Sequence, residues 1–121
     1  MRGLEWIVDA QGCTPSALRD VVRLEALFAR VIADMRLTPV QPPVWHVFPS
    51  PGGVTGVVVL AESHLACHTF PEYGSICLNL FCCRPRDGFD ADGLLRELLG
   101  ASEVAVRQVE RSYAPVGVVS A

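Results

Sequence analysis

Apolar and polar positions alternate along the chain in blocks that switch between a period of two and a helical period. Leu4–Ala10 is short, apolar and bounded by Gly3 and Gly12, which predicts a first strand. From Ala17 to Met35 the apolar residues Leu18, Val21, Val22, Leu24, Phe28, Val31, Ile32 and Met35 recur at helical spacing. They predict one long amphipathic helix, started by Thr14 as N-cap and Pro15 at its first position. Pro39, Pro42 and Pro43 then interrupt, and Val44–Phe48 reads as a strand that the prolines push to a sheet edge. After the loop Pro49–Gly53 come three further strands. Val57–Leu60 is a continuous apolar run and Leu65–Phe70 alternates loosely. Ser75–Cys83 alternates well, with Ile76, Leu78 and Leu80 on one face and Ser75, Asn79 and Cys83 on the other. Asp90–Leu99 is a second helix closed by Gly100, and Glu103–Val109 a last strand before a loose tail from Ser112.

Hairpin-linked strands with two helices between them predict an α+β fold: a two-layer sandwich, an antiparallel sheet with two helices packed on one face. The other face is left for solvent or for a partner. With 121 residues and half of them hydrophobic, the chain reads as one domain with a substantial core rather than a disordered segment. A net charge of −3 offers no electrostatic footprint for nucleic acid or an anionic membrane. No apolar run approaches a membrane span, and Met1–Glu5 lacks a signal-peptide pattern. Five cysteines without CxxC spacing, two of them adjacent, suit neither a disulfide framework nor a zinc site and point to a reducing cytoplasm.

Candidate chemistry concentrates in residues 54–83. Ser63 stands between Glu62 and His64, His68 follows five residues on, and Cys83 ends the stretch. A nucleophile, a base and a thiol on successive strands are the raw material for covalent chemistry. Cys13, Cys67, Cys77 and Cys82 read as small buried hydrophobes, Cys82 turning away from the face that Cys83 presents. His64 reads as support for the turn, and His46 divides evenly between an edge-strand and a pocket role. Thr55 and Phe48 taken alone are ordinary strand and core residues, and Glu72 in Pro71–Gly74 an ordinary turn residue.

The run from Gly53 to Gly74, with Glu62-Ser63-His64, His68-Thr69, Pro71-Glu72 and then Cys83, resembles the short prokaryotic form of S-adenosylmethionine decarboxylase. The similarity is dense over residues 44–83 and continues through element order on both sides. It implies a proenzyme of a single domain, residues 1–121, that cuts its own Glu62–Ser63 bond into a β chain of 1–62 and an α chain of 63–121. Ser63 attacks the preceding carbonyl to form an ester, and β-elimination leaves a pyruvoyl group, the self-derived cofactor. A hydroxyl is a weak nucleophile and an amide a poor electrophile, so the step calls for a base and a strained peptide. The resemblance assigns His68 as that processing base and Thr55, where the family usually has Ser, as its hydroxyl helper. The pyruvoyl carbonyl then forms a Schiff base with the substrate amine and acts as an electron sink for loss of CO₂. Cys83 matches the proton donor; the ordinary thiol pKa of ~8.5 suits that task near neutral pH. Glu72 matches the acid on the ribose hydroxyls and Phe48 an aromatic that stacks on adenine. The resemblance implies S-adenosylmethionine as the small-molecule substrate, decarboxylated to the aminopropyl donor for spermidine, and a homodimer, the assembly of the family's small form.

The sequence also departs from the family pattern. Leu4-Glu5-Trp6 stands where a basic-His start is usual, Ser75 in place of a large residue, Asn79 for Asp, Cys82 for Thr and Arg84 for Gly. These positions surround the pocket and motivate an alternative substrate, ornithine or arginine, for the same pyruvoyl chemistry. A non-processing homologue that only binds is a third reading, opposed by the joint presence of Ser63, His68 and Cys83.

Overall fold

The computed structural model of the chain describes residues 2–115. Six strands form one antiparallel sheet: β1 Arg2–Gln11, β2 Val44–Val47, β3 Val54–Leu60, β4 Ser63–Phe70, β5 Ser75–Cys82 and β6 Glu103–Ser112. Their spatial order is β2-β3-β4-β5-β1-β6. The short β2 is an edge strand, as its prolines predict. Three helices pack on one face: α1 Pro15–Leu18, α2 Val21–Asp34 and α3 Ala91–Leu99. This is the two-layer α+β sandwich expected.

Period-two patterning decides which face is covered. Leu4, Trp6, Val8 and Ala10 of β1, Val54, Val58 and Leu60 of β3, Leu65 and Cys67 of β4, and Ile76, Leu78, Leu80 and Cys82 of β5 are all buried under the helices. Leu24, Leu27, Phe28 and Val31 of α2 and Leu94, Leu95 and Leu99 of α3 meet them. At ~25 cal/mol per Å² of apolar surface removed from water, this single cluster dominates the stability. Gly56 is required where β3 passes Trp45, because any Cβ there would overlap the indole ring.

The expected long helix is two helices. Asp20 breaks it: its Oδ1 accepts from the Val22 and Arg23 amides at 3.0 and 3.4 Å, so α2 starts afresh at Val21. Val22, expected in the buried stripe, is 75% exposed as a result. Thr14 stands at the N-cap of α1 but accepts no hydrogen bond through its side chain. The last strand runs three residues further than Val109, to Ser112. The expected loose tail beyond residue 115, with Gly117, lies outside the described residues. No helix among the described residues is long and apolar enough to cross a membrane.

The uncovered face carries Thr55, Val57 and Val59 of β3, with His64, Ala66, His68 and Phe70 of β4 beside them. Val59 is 57% exposed and Phe70 40%.

Candidate active site

Ala61 and Glu62 form the two-residue turn between β3 and β4, with Leu60 and Ser63 as the closing pair. The loop before β2 braces this turn. The Ala61 amide donates to the Thr38 carbonyl at 2.8 Å, and the Thr38 amide donates to Glu62 Oε1 at 2.9 Å. Glu62 therefore spends its carboxylate on the loop and leaves its main-chain carbonyl free for another donor. That donor is the Cys83 amide, 2.9 Å from the Glu62 oxygen. An N–H aimed at a carbonyl oxygen polarises it and stabilises negative charge that develops there. Ser63 has φ +152°, a conformation that L residues rarely adopt and that costs about 1–3 kcal/mol. Strain and polarisation thus meet at the one peptide bond that the sequence singles out.

Two of the departures meet on the open face beside this bond. Asn79 Nδ2 donates to Glu5 Oε2 at 3.0 Å and lies 3.2 Å from His64 Nε2. A carboxylate only accepts, so it fixes the amide with its NH₂ inward, and His64 Nε2 then accepts the second N–H. The imidazole proton accordingly sits on Nδ1. Arg111 Nη1 donates to Glu5 Oε1 at 2.6 Å, and its guanidinium lies 5.9 Å from the Phe81 ring centre. Tyr113 Oη donates to the Cys83 carbonyl at 2.7 Å. His64 is thus held by Asn79 on β5.

The other end of the same hairpin holds the remaining candidates. Thr55 and His68 are paired across β3 and β4, with Thr55 Oγ1 3.1 Å from His68 Nδ1. They line a cavity of about 410 Å³ together with Phe48, Phe70 and Glu72. His46 sits edge-on to Phe48, ring centres 4.5 Å apart, and is not among the cavity's lining residues. Glu72 lies in the 3₁₀ turn Pro71–Tyr73, closed by Gly74 at φ +64°. Beneath the cavity floor, buried Thr69 accepts from the Val54 amide at 2.9 Å and donates to the Leu18 carbonyl at 2.8 Å. That one hydroxyl ties β3, β4 and α1 together and sets the floor on which Thr55 and His68 stand.

The fold brings Ser63, Glu62 and Cys83 together, and separately Thr55, His68, Phe48 and Glu72. It does not bring His68 to Ser63. Five residues along an extended strand at ~3.4 Å each put them roughly 17 Å apart, whereas a general base works at ~3 Å. Among the thiols, Cys82 is buried with its pKa raised, chiefly by desolvation, and Cys67 is pushed up to about 12 by burial. Burial also raises Cys13; Cys77, expected to be buried, is exposed because the alternation of β5 turns it away from the helices, and partial desolvation and the Asp9 carboxylate raise its pKa. Cys83 is half-buried and belongs to the open face. Thr38 and Tyr113 carry no motif in the sequence, and Thr69 stands in the motif without a role; what each does comes only from contacts 15 to 51 residues away.

The family model for S-adenosylmethionine decarboxylase matches residues 4–112. The S-adenosylmethionine decarboxylase proenzyme of Carboxydothermus hydrogenoformans is 36% identical over 110 residues, 90% of this chain and 85% of that one. Its counterpart in Syntrophomonas wolfei is 34% identical over 110 residues, 90% and 86% of the two chains. The crystal structure of the adenosylmethionine decarboxylase of Aquifex aeolicus VF5 superposes with a TM-score of 0.75 at 23% identity, over 98% of this chain and 97% of that one, and shares the fold. Sequence and fold agree, and the chain belongs to the S-adenosylmethionine decarboxylase family.

Proposed function

We propose that this chain is a self-processing decarboxylase of S-adenosylmethionine, supplying the aminopropyl donor for spermidine synthesis. The observation that carries the reading is the Glu62–Ser63 bond itself, with its carbonyl polarised by the Cys83 amide at 2.9 Å and its serine at φ +152°. Ser63 Oγ bonds to the Glu62 carbonyl carbon while the C–N bond breaks and the nitrogen takes up the hydroxyl proton. Loss of a proton from Ser63 Cα then expels the Glu62 carboxylate, and water replaces nitrogen, released as ammonia, to leave the pyruvoyl group. His68 is the base for this sequence, and the Thr55 hydroxyl 3.1 Å away orients its ring. The fit of Ser63 to such a group rests on the strained, polarised bond before it.

The pyruvoyl group supplies the electron sink that lets CO₂ leave. The chain's own residues do the rest. Glu72 accepts hydrogen bonds from the ribose hydroxyls and Phe48 stacks on the adenine, both at the cavity of about 410 Å³. Cys83 delivers the proton that replaces CO₂, from a thiol one residue past the strand paired with Ser63.

The separation of Ser63 from His68 points to a homodimer. A second copy laid antiparallel on the open face brings the His68 end of one chain to the Ser63 end of the other. The exposed apolar residues Val57, Val59 and Phe70 on that face suit such a contact. Free, unpaired thiols throughout fit a reducing cytoplasm as the working compartment.

Denatured intact mass tests the cleavage: two fragments meeting at Glu62 and Ser63 are expected, and a lone species near 13.1 kDa overturns the reading. Coexpression of Ser63→Ala and His68→Ala chains tests the shared site. Alone, Ser63→Ala stays uncut and His68→Ala cuts only slowly, but the mixed dimer holds one intact pairing and is expected to cut its His68→Ala chain far faster. No faster cutting in the mixture overturns the shared site. Turnover of ornithine or arginine, with none of S-adenosylmethionine, overturns the substrate.

A further inference from the structure

We propose that Tyr113 is the positioning residue for Cys83, holding its main chain so that the amide addresses the Glu62 carbonyl and the thiol faces the site. The proposal builds on the reading of Glu62–Ser63 as the bond that is cut. Cys83 lies just past the end of β5, where ladder hydrogen bonds cease and the loop to α3 begins. Two hydrogen bonds hold it: its amide donates to the Glu62 oxygen at 2.9 Å and its carbonyl accepts from Tyr113 Oη at 2.7 Å. Both main-chain groups of one residue are thereby fixed, and the direction of its side chain with them. Remove the hydroxyl and the residue hangs on the scissile carbonyl alone.

The reach of Tyr113 is built into the sheet. It follows β6, which pairs only with β1, so the side chain must pass over β1 to arrive at β5. On β1 itself Gly3 lies close against this segment of β5, where a Cβ would press on the Cys82 carbonyl and the Phe81 ring. Arg111, paired with Gly3 across β1 and β6, secures the end of β6 by donating to Glu5 and lying over Phe81. Residues of the last strand thus converge on the segment Phe81–Cys83, and Tyr113 supplies the contact that touches Cys83 itself.

Tyr113→Phe keeps the ring and deletes the hydroxyl. Cleavage of the newly made chain, followed by intact mass, is expected to slow by roughly three- to tenfold, the size of one lost hydrogen bond. Hydrogen exchange at the Cys83 amide, read in a Ser63→Ala background that cannot cut, is expected to quicken while the Leu78 and Leu80 amides stay as they were. A surface tyrosine with a merely structural part would move all three amides together and lower the melting temperature. Unchanged cleavage, unchanged Cys83 exchange, or an even rise along β5 overturns the proposal. Should the native chain itself stay uncut, the reading of the bond falls, and the exchange comparison still decides whether Tyr113 holds Cys83.

Discussion

The two ends of the β3–β4 hairpin are held by different kinds of group. At the turn end the contacts that matter are chiefly main-chain: the Cys83 amide on the Glu62 carbonyl and the Ala61 amide on the Thr38 carbonyl, with the Glu62 carboxylate taking the Thr38 amide as the one side-chain brace. At the far end they are side-chain: Thr55 with His68 over the open cavity, and Thr69 beneath. A site made of peptide groups acts on the backbone that forms it and tolerates many side-chain changes. One made of exposed side chains around a cavity receives something from outside. The contrast fits the proposal that a single hairpin serves both a reaction upon itself and a reaction upon a ligand.

The comparison breaks most completely at His68. His68→Ala is expected to slow self-cutting by about 10²–10⁴-fold, followed by the rate of fragment appearance; wild-type cutting would mean that the turn end needs no base from the far end. Thr69→Val comes next. It strands the Val54 amide and the Leu18 carbonyl and is expected to lose about 1–3 kcal/mol in denaturant unfolding, with the cavity residues loosened. At the turn end, Ser63→Gly should be about 1 kcal/mol more stable than Ser63→Ala, since glycine adopts φ +152° freely; equal stabilities would remove the strain. A double-mutant cycle on Glu5→Ala and Asn79→Ala should return a coupling of about 0.5–1 kcal/mol, and additivity would dissolve the network that orients His64. The last effect shows only at alkaline pH. Folded Cys67 keeps its proton up to about 12, whereas the unfolded thiol releases it near the ordinary 9.0. Its contribution is therefore complete below pH 9 and is lost as pH rises toward 12, so Cys67→Ala should flatten the alkaline decline in stability.

Strongly patterned elements were legible in the sequence. The alternation of Ser75–Cys83 phased β5 correctly because one face is fully buried, and that phase separated Cys82 from Cys83. The break at Asp20 was hidden, since Leu18, Val21 and Leu24 continue a helical period across it and only the cap resets the turn. The length of β6 was hidden for the opposite reason. Nearly all its residues are exposed, and hydrogen bonds to β1 rather than any apolar period carry it to Ser112. Tyr113 fell in what read as a loose tail, its only signal a contact thirty residues back. For the candidate site, the residue types were legible but not their grouping: Ser63 and His68 are neighbours in sequence, and extended geometry sets them roughly 17 Å apart.

The strand order β2-β3-β4-β5-β1-β6 has a consequence for the life of the molecule. A cut at Glu62–Ser63 gives β1, β2 and β3 to one fragment and β4, β5 and β6 to the other. Strand β1 of the first is then threaded between β5 and β6 of the second, like a tenon in its mortise. The halves cannot part by sliding; three ladders, β1 with β5, β1 with β6 and β3 with β4, must tear. Assembly must come before the cut, because afterwards the same interleaving would have to be found by two separate chains meeting in solution. The proposed cleavage would make maturation a ratchet: an uncut chain can unfold and try again, while a cut one that unfolds would have lost the tether that led it home.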